Sequence, residues 1–224
     1  MLTLRSLLFK VFLENGIPMT NILGCIKYGV AQVSGASLLH VGIAIVHLPG
    51  LVGRWWQAGI TRKYNQVEHN DTEARAALLR ELFGAVGENV EIDTPFYCDY
   101  GKNIFIGNDV IINISCTFVD NCPIHIGSQV LIASNVQIYT SGHPVLPQER
   151  FVSDWKNKGT SFFRTFAKPV TIEDRVWIGG GVIILPGVTI GKNSVIGAGS
   201  VVTHSIPENC VAFGNPCRVT RYFW

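Results

Sequence analysis

The stretch VTIEDRVWIGGGVIILPGVTIGKNSVIGAGSVV, residues 170–202, decides how this chain folds. Ile172, Ile178, Ile184, Ile190, Ile196 and Val202 recur every six residues, and a second file runs two positions earlier through Val170, Val176, Val182 and Val188 to the small Ser194 and Ser200. A period of six matches neither a helix, at about 3.6, nor a strand, at about 2. It matches a coil that turns a corner every six residues, so that the apolar side chain always points at one axis. Three such sides close one coil in about 18 residues. Gly179, Gly191 and Gly197 follow ladder residues, where a chain rounding a tight corner best tolerates a missing Cβ.

The same frame extends upstream. Ile126, Ile132 and Ile138 carry it with Ile124, Val130 and Val136, and before them Ile106, Ile112 and Phe118 with Ile104, Val110 and Cys116. From Phe118 to Ile126 the step is eight, which places a two-residue bulge near Asp120 to Pro123. From Ile138 to Ile172 it is 34, too long for uninterrupted coil, so a long loop is expected at 141–169. The expected fold is an all-β core of stacked coils over residues 90–205, interrupted by that loop. An extension at 1–64 and a helical cap at 65–89 precede it, and a tail at 206–224 follows. An ordinary β-sandwich would need this register to arise by coincidence.

Composition narrows the function. The 18 Lys and Arg nearly balance 16 Asp and Glu, for a net charge of +2. With no basic run and no basic patch interleaved with aromatics, no nucleic-acid partner is expected. Six cysteines without a CxxC pair read as buried or free thiols. No trio of His, Cys, Asp or Glu has metal-ligand spacing, so no metal is expected. Gly179-Gly180-Gly181 lacks the Lys and Ser or Thr of a phosphate loop. No signal peptide is evident after Met1, and a cytoplasmic setting is expected.

Residues 1–19 suit an amphipathic helix through Leu4, Leu7, Leu8, Val11 and Phe12. Between Asn21 and Gly53 the one formally charged side chain is Lys27, yet glycines and Pro49 interrupt the run. Its cleanest span, Leu38 to Gly53, is shorter than the roughly 20 residues a spanning helix needs. Trp55 and Trp56 with Arg54, Arg62 and Lys63 suit a headgroup boundary and equally a second chain, so residues 1–64 are expected on a membrane surface or on a partner subunit. Residues 71–83 read as a helix capped by Asp71 or Thr72, with Ala74, Ala77, Leu78, Leu82 and Phe83 as its apolar stripe. Such a helix can close the open first coil, begun by Val90 and Ile92. After Val202 the six-residue rhythm fails, and the chain ends in Arg218, Arg221 and three aromatics.

A coil of this kind is scaffold, so chemistry must come from what interrupts it. The first candidate is His143 in Thr140-Ser141-Gly142-His143-Pro144, at the root of the long loop. Its ordinary pKa, near 6.5, makes an imidazole a useful proton acceptor at neutral pH, although a structural histidine in a turn reads the same. Asn113, at an outward position, and Asp120, at the bulge, are polar within apolar sequence and can receive or orient a hydroxyl. The loop carries five Lys or Arg against Glu149 and Asp154; with Arg218 and Arg221 it can meet an anionic group.

Several stretches are similar to the hexapeptide-repeat acyltransferases, and within them to the maltose and galactoside O-acetyltransferases. They are Phe96-Tyr97-Cys98-Asp99-Tyr100-Gly101, Thr140 to Pro144, Lys168 to Ile172, Val176 to Gly181 with Leu185 to Gly191, and Gly214 to Val219. The resemblance runs from about Thr72 to Arg221. It implies a left-handed parallel β-helix that assembles as a homotrimer, with acetyl-CoA as donor and a hydroxyl of a sugar or glycan as acceptor. It places the catalytic base on His143, acceptor contacts on Asn113, Asp120 and Asn121, and donor contacts on Trp177, Gly180, Arg218 and Arg221. The acceptor site, often doubly acidic or polar in the family, here reads Asp120-Asn121. Residues 1–64 depart from the family's polar entry and look more like polysaccharide-tailoring members, which points to a glycan precursor, lipid-linked in one version. An amino-sugar N-acetyltransferase and a noncatalytic scaffold are the competing readings.

Overall fold

The computed structural model describes residues 58–223. The expected helix at 1–19, the apolar run at 21–53 and the Trp55-Trp56 pair lie outside the described residues.

The two inward files do what their period requires. Every ladder residue from Ile104 to Val202 is at most 4% exposed, including Ser194 and Ser200. Between the inward residues the chain exposes its outward ones and turns, which gives three flat faces. Face one stacks Ala85–Val86, Ile104–Ile106, Ile124–Ile126, Val170–Ile172 and Thr189–Ile190. Face two stacks Val90–Ile92, Val110–Ile112, Leu131–Ile132, Trp177–Ile178, Val195–Ile196, Cys210–Phe213 and Arg218–Tyr222. Face three stacks Phe96–Cys98, Cys116–Val119, Gln137–Tyr139, Ile183–Ile184 and Val201–Val202. All pairings within the faces are parallel except the last on face two, where Arg218–Tyr222 turns back against Cys210–Phe213. Burying each Ile or Val of the axis contributes about 1.5–3 kcal/mol.

Register explains the irregular counts. In the upper coils partners are 20 residues apart, as in Ile104 with Ile124 and Phe96 with Cys116. In the lower coils they are 18 apart, as in Thr171 with Thr189 and Ile183 with Val201. The two extra residues fall at the corner between faces three and one: within 99–103 in one coil and 120–123 in the next. The third visit to that corner carries the whole loop, so the insertions are stacked at one edge of the prism.

Three sequence expectations need correction. The first coil begins at Ala85–Val86 rather than at Val90, because Gly84 and Gly87 donate to the carbonyls of Ile104 and Ile106. The coil also continues past Val202: Ile206 bridges Ile190, and Cys210–Phe213 adds a parallel rung beside Val195–Ile196. Ser194 and Ser200 ease that last turn, their hydroxyls accepting from the N–H groups of Cys210 and Gly214. The corner glycines after ladder residues act through space rather than through φ: a Cβ on Gly179 would lie 2.6 Å from the Ala198 nitrogen of the next coil. Left-handed φ falls instead on residues such as Asp109, Gln129, Arg175 and Asn193.

The helix Thr72–Leu82 closes the first coil, with the Asp71 carboxylate accepting from Ala74 N at 3.1 Å. Its buried face is Arg75, Leu79 and Leu82, so Ala77 belongs to the solvent side. Ile60 and Tyr64 join the same core, and Asn65 exchanges two 2.9 Å bonds with the backbone of Phe96. The Tyr64 hydroxyl donates to the carbonyl of Ile92, which also accepts from Arg75. Burial pushes the Tyr64 phenol up to about 12. Among the described residues no helix is long and apolar enough to cross a membrane.

Candidate active site

The corner between faces three and one is built from the inside out. Thr140, fully buried, donates through N and Oγ1 to the carbonyl of Val119 and accepts at Oγ1 from Cys122 N at 2.9 Å. Its own carbonyl accepts from Lys168 N, so both ends of the loop are tied to one residue. Ser141–Gly142 then pairs antiparallel with Phe166–Ala167. A Cβ at 142 would meet the tip of the Phe166 ring at 2.8 Å, so a larger residue there would have to turn that exposed ring aside.

His143 follows, exposed, with Nδ1 2.8 Å from the carbonyl oxygen of Arg164 across the loop. A carbonyl can only accept, so Nδ1 carries a proton, and in the neutral imidazole Nε2 is the nitrogen that keeps its lone pair. That is the tautomer a general base needs. Loop residues 150–164 hold the far strand: Arg164 N donates to Arg150 O at 2.7 Å, and Val152 N to Phe162 O at 2.9 Å.

Asp120 and Asn121 share this corner but do different work. Asp120 is 0% exposed; its Oδ1 accepts from Asp99 N at 3.0 Å and Tyr100 N at 2.9 Å, binding the shorter insertion of the coil above. Burial pushes its carboxyl up from the ordinary value, against the lowering effect of those N–H donors, and Oδ2 has no partner. The expectation that Asp120 touches an acceptor is therefore corrected: it has no surface from which to do so. Asn121 is exposed, and its Oδ1 accepts from Ser141 Oγ at 2.6 Å, which leaves the Nδ2 hydrogens beside the loop root.

The other expected residues lie elsewhere. Asn113 is at the corner between faces two and three, where its Oδ1 accepts from Ser134 Oγ at 2.7 Å and Ile114 N at 2.8 Å. Gly180 is at the same corner two coils on; a Cβ there would approach Ser134 O at 3.4 Å. Trp177, 53% exposed, projects from face two in one outward file with Ile111, Leu131, Val195 and Val211. Arg221 stands opposite Val211 and ends that file, with Arg218 opposite Phe213 beside it. From Trp177 to Arg221 there are three strand spacings, about 14 Å at about 4.8 Å each.

The candidate residues of one chain thus fall into two groups. His143 and Asn121 stand at one edge of face three; Asn113 and Gly180 stand at its other edge, next to the apolar file of face two. Sequence reasoning missed Ser134 and counted Arg164 only among the loop's cations. Ser134 falls at an ordinary corner position, and Arg164 acts through a carbonyl that no residue type announces.

A coil scaffold with one tautomerically defined imidazole and a separate apolar, cation-ended face has the parts of a group-transfer enzyme of the β-helix class. Residues 169–204 match the family model described as bacterial transferase hexapeptide (six repeats), and residues 53–87 that described as maltose acetyltransferase hexapeptide capping motif. The chain is 45% identical over 163 residues to the galactoside O-acetyltransferase of Lactococcus lactis, covering 72% of this chain and 74% of that protein. It is similar to the crystal structure of a maltose O-acetyltransferase from Clostridium difficile, with TM-score 0.71 and 46% identity over 78% of this chain and 88% of that one. A galactoside acetyltransferase in complex with coenzyme A matches with TM-score 0.70 and 36% identity, over 93% of this chain and 92% of its own. The chain belongs to the hexapeptide-repeat acyltransferases, related to the galactoside and maltose O-acetyltransferases.

Proposed function

We propose that this protein transfers an acetyl group from acetyl-CoA to a hydroxyl of a sugar or glycan precursor, with His143 as general base. The observation that carries the assignment is the bond from His143 Nδ1 to Arg164 O, which makes Nε2 the acceptor nitrogen of the neutral imidazole at the loop root. Nε2 removes the acceptor's hydroxyl proton while that oxygen attacks the thioester carbonyl; acetyl passes to the oxygen, and the thiolate leaves and recovers the proton from the imidazolium. Asn121 and Asn113 orient the acceptor. The Trp177 file carries the apolar stretch of the donor, Gly180 allows its close approach, and Arg218 and Arg221 meet its phosphates.

A complete site requires the edge that holds His143 in one copy to face the edge that holds Asn113 in another, which three copies around an axis achieve with closure. The exposed apolar file on face two supports that assembly. The expected membrane or partner segment at 1–64 is shortened by the packing of Ile60 and Tyr64 in the core; residues 1–56, apolar and ended by Arg54, Trp55 and Trp56, hold the enzyme against the cytoplasmic surface of a membrane, where a lipid-linked glycan precursor would present its hydroxyl.

The test is CoA release across a panel of mono-, oligo- and lipid-linked saccharides, each hydroxyl acceptor set against its amino counterpart. Turnover dependent on a hydroxyl acceptor supports the reading. Turnover confined to the amino counterparts would move the enzyme to N-acetylation.

A further inference from the structure

The loop presents a file of aromatic rings that the proposed chemistry leaves unused. Phe163 stands edge-on to the His143 imidazole, with ring centroids 5.2 Å apart at 88°. Phe162 backs Phe163 at 4.7 Å and 81°, and Trp155 backs Phe162 at 6.2 Å and 59°. These rings are no ordinary core: Phe162 is 51% exposed, Phe163 37% and Trp155 38%. Burial alone does not explain two consecutive phenylalanines in a loop otherwise rich in charge.

Their position does. Phe163 and Arg164 are neighbours on the far side of the loop, and each meets the imidazole in a different way. The Arg164 carbonyl fixes which nitrogen bears the proton, but a single hydrogen bond leaves the ring able to swing about the N–H···O line. The Phe163 ring, backed by Phe162, stands against that swing, and the backbone of Phe163 is held by its bridge to Phe151. An edge-to-face pair of this kind is strong enough to favour one ring orientation over its neighbours by several-fold.

We infer that Phe163 is a positioning residue that holds the His143 imidazole with Nε2 aimed at the acceptor hydroxyl. The inference rests on His143 being the general base. Small misplacements of a base are costly, about 100-fold for about 1 Å.

The test compares full-length wild type with F163A, F163Y and H143A. Three readouts are taken on each: kcat, KM for acetyl-CoA, and the His143 tautomer from ¹⁵N imidazole shifts, assigned by difference against H143A. The expected result for F163A is a kcat about 10- to 100-fold lower. Its KM for acetyl-CoA should stay within about twofold, and the Nδ1–H tautomer, fixed by the Arg164 carbonyl, should persist. F163Y, which keeps the ring, should return kcat. An F163A enzyme with wild-type kcat would overturn the inference, as would a loss of kcat that comes with a mixed tautomer, or one that follows a lowered Tm and that F163Y does not rescue. H143A separates the two levels: if it stays fully active the general-base reading itself falls, whereas inactive H143A beside fully active F163A removes only the role of Phe163.

Discussion

His143 gives its Nδ1 proton to the backbone carbonyl of Arg164, 21 residues further along the chain, at 2.8 Å. The bond joins the two strands of the long loop where both leave the prism, so the loop's fold and the base's protonation pattern are a single property. Replacing His143 with Ala is expected to lower kcat by about 10²–10⁴ while leaving CoA affinity unchanged. Steady-state kinetics beside calorimetric CoA titration would check both halves.

Trp177 and Arg221 belong to one outward file of face two. Removing either should weaken the donor rather than the chemistry. W177A and R221A are each expected to raise KM for acetyl-CoA about 10-fold, near 1.4 kcal/mol, with kcat nearly constant. The R221A effect should shrink at high salt, because an exposed charge pair is screened.

Asp120 makes stability depend on pH in an unusual direction. Its folded pKa lies above the unfolded value of about 3.9, so the folded state holds the proton more tightly. The resulting stabilisation is full below that unfolded value and is lost as pH rises through the folded pKa. Asn cannot titrate and keeps an oxygen for the N–H groups of Asp99 and Tyr100. Relative to wild type, D120N should therefore gain stability as pH rises from about 4 to about 7 in urea unfolding; parallel curves would contradict this. D120A leaves both donors unpaired and is expected to cost about 1–3 kcal/mol near pH 4, and less as pH rises and the wild type loses its own stabilisation.

Burial pushes the Cys98 thiol up to about 12, with the Asp120 carboxylate adding to the rise, and the Cys116 thiol up to about 11. Thiolate is the reactive form, so both should resist alkylation at about pH 8 in the native protein and react once it is unfolded. Peptide mapping by mass spectrometry after a short pulse of iodoacetamide would show it.

The axis of the prism is legible in the sequence because its signal is simple: one apolar residue every six, each pointing inward, with the period surviving every interruption. The corners are less legible. A gap of 34 from Ile138 to Ile172 looks arbitrary along the chain, and becomes orderly only when Phe118 to Ile126 and Cys98 to Ile106 are seen to widen at the same corner. Gly179 reads as a corner residue, but the pressure on it comes from Ala198 in the next coil rather than from the corner's own turn. The helix at 72–82 falls where its caps and stripe predict, while its buried face does not, because Arg75 is drawn inward by the Ile92 carbonyl and a residue scale cannot foresee that bond.

In the site, His143 stands out by its residue type and its place at a loop root. Asp120 stands out equally and is buried, since polarity in an apolar stretch marks a structural acceptor as readily as a ligand contact. Asn113 and His143 give no sign in the sequence of standing at opposite edges of face three. That separation depends on which way successive corners turn.

The separation also supplies the most direct test of a site shared between copies. H143A and N113A subunits, each inactive alone, are mixed under conditions that allow subunit exchange, with mixed assemblies verified by native mass spectrometry, and acetyl transfer is then assayed. If His143 of one copy works with Asn113 of the next, activity should return to about one quarter of wild type, the fraction of interfaces that pair an intact His143 edge with an intact Asn113 edge. Mixed assemblies as inactive as their parents would contradict the shared site and require both residues to act from the same chain.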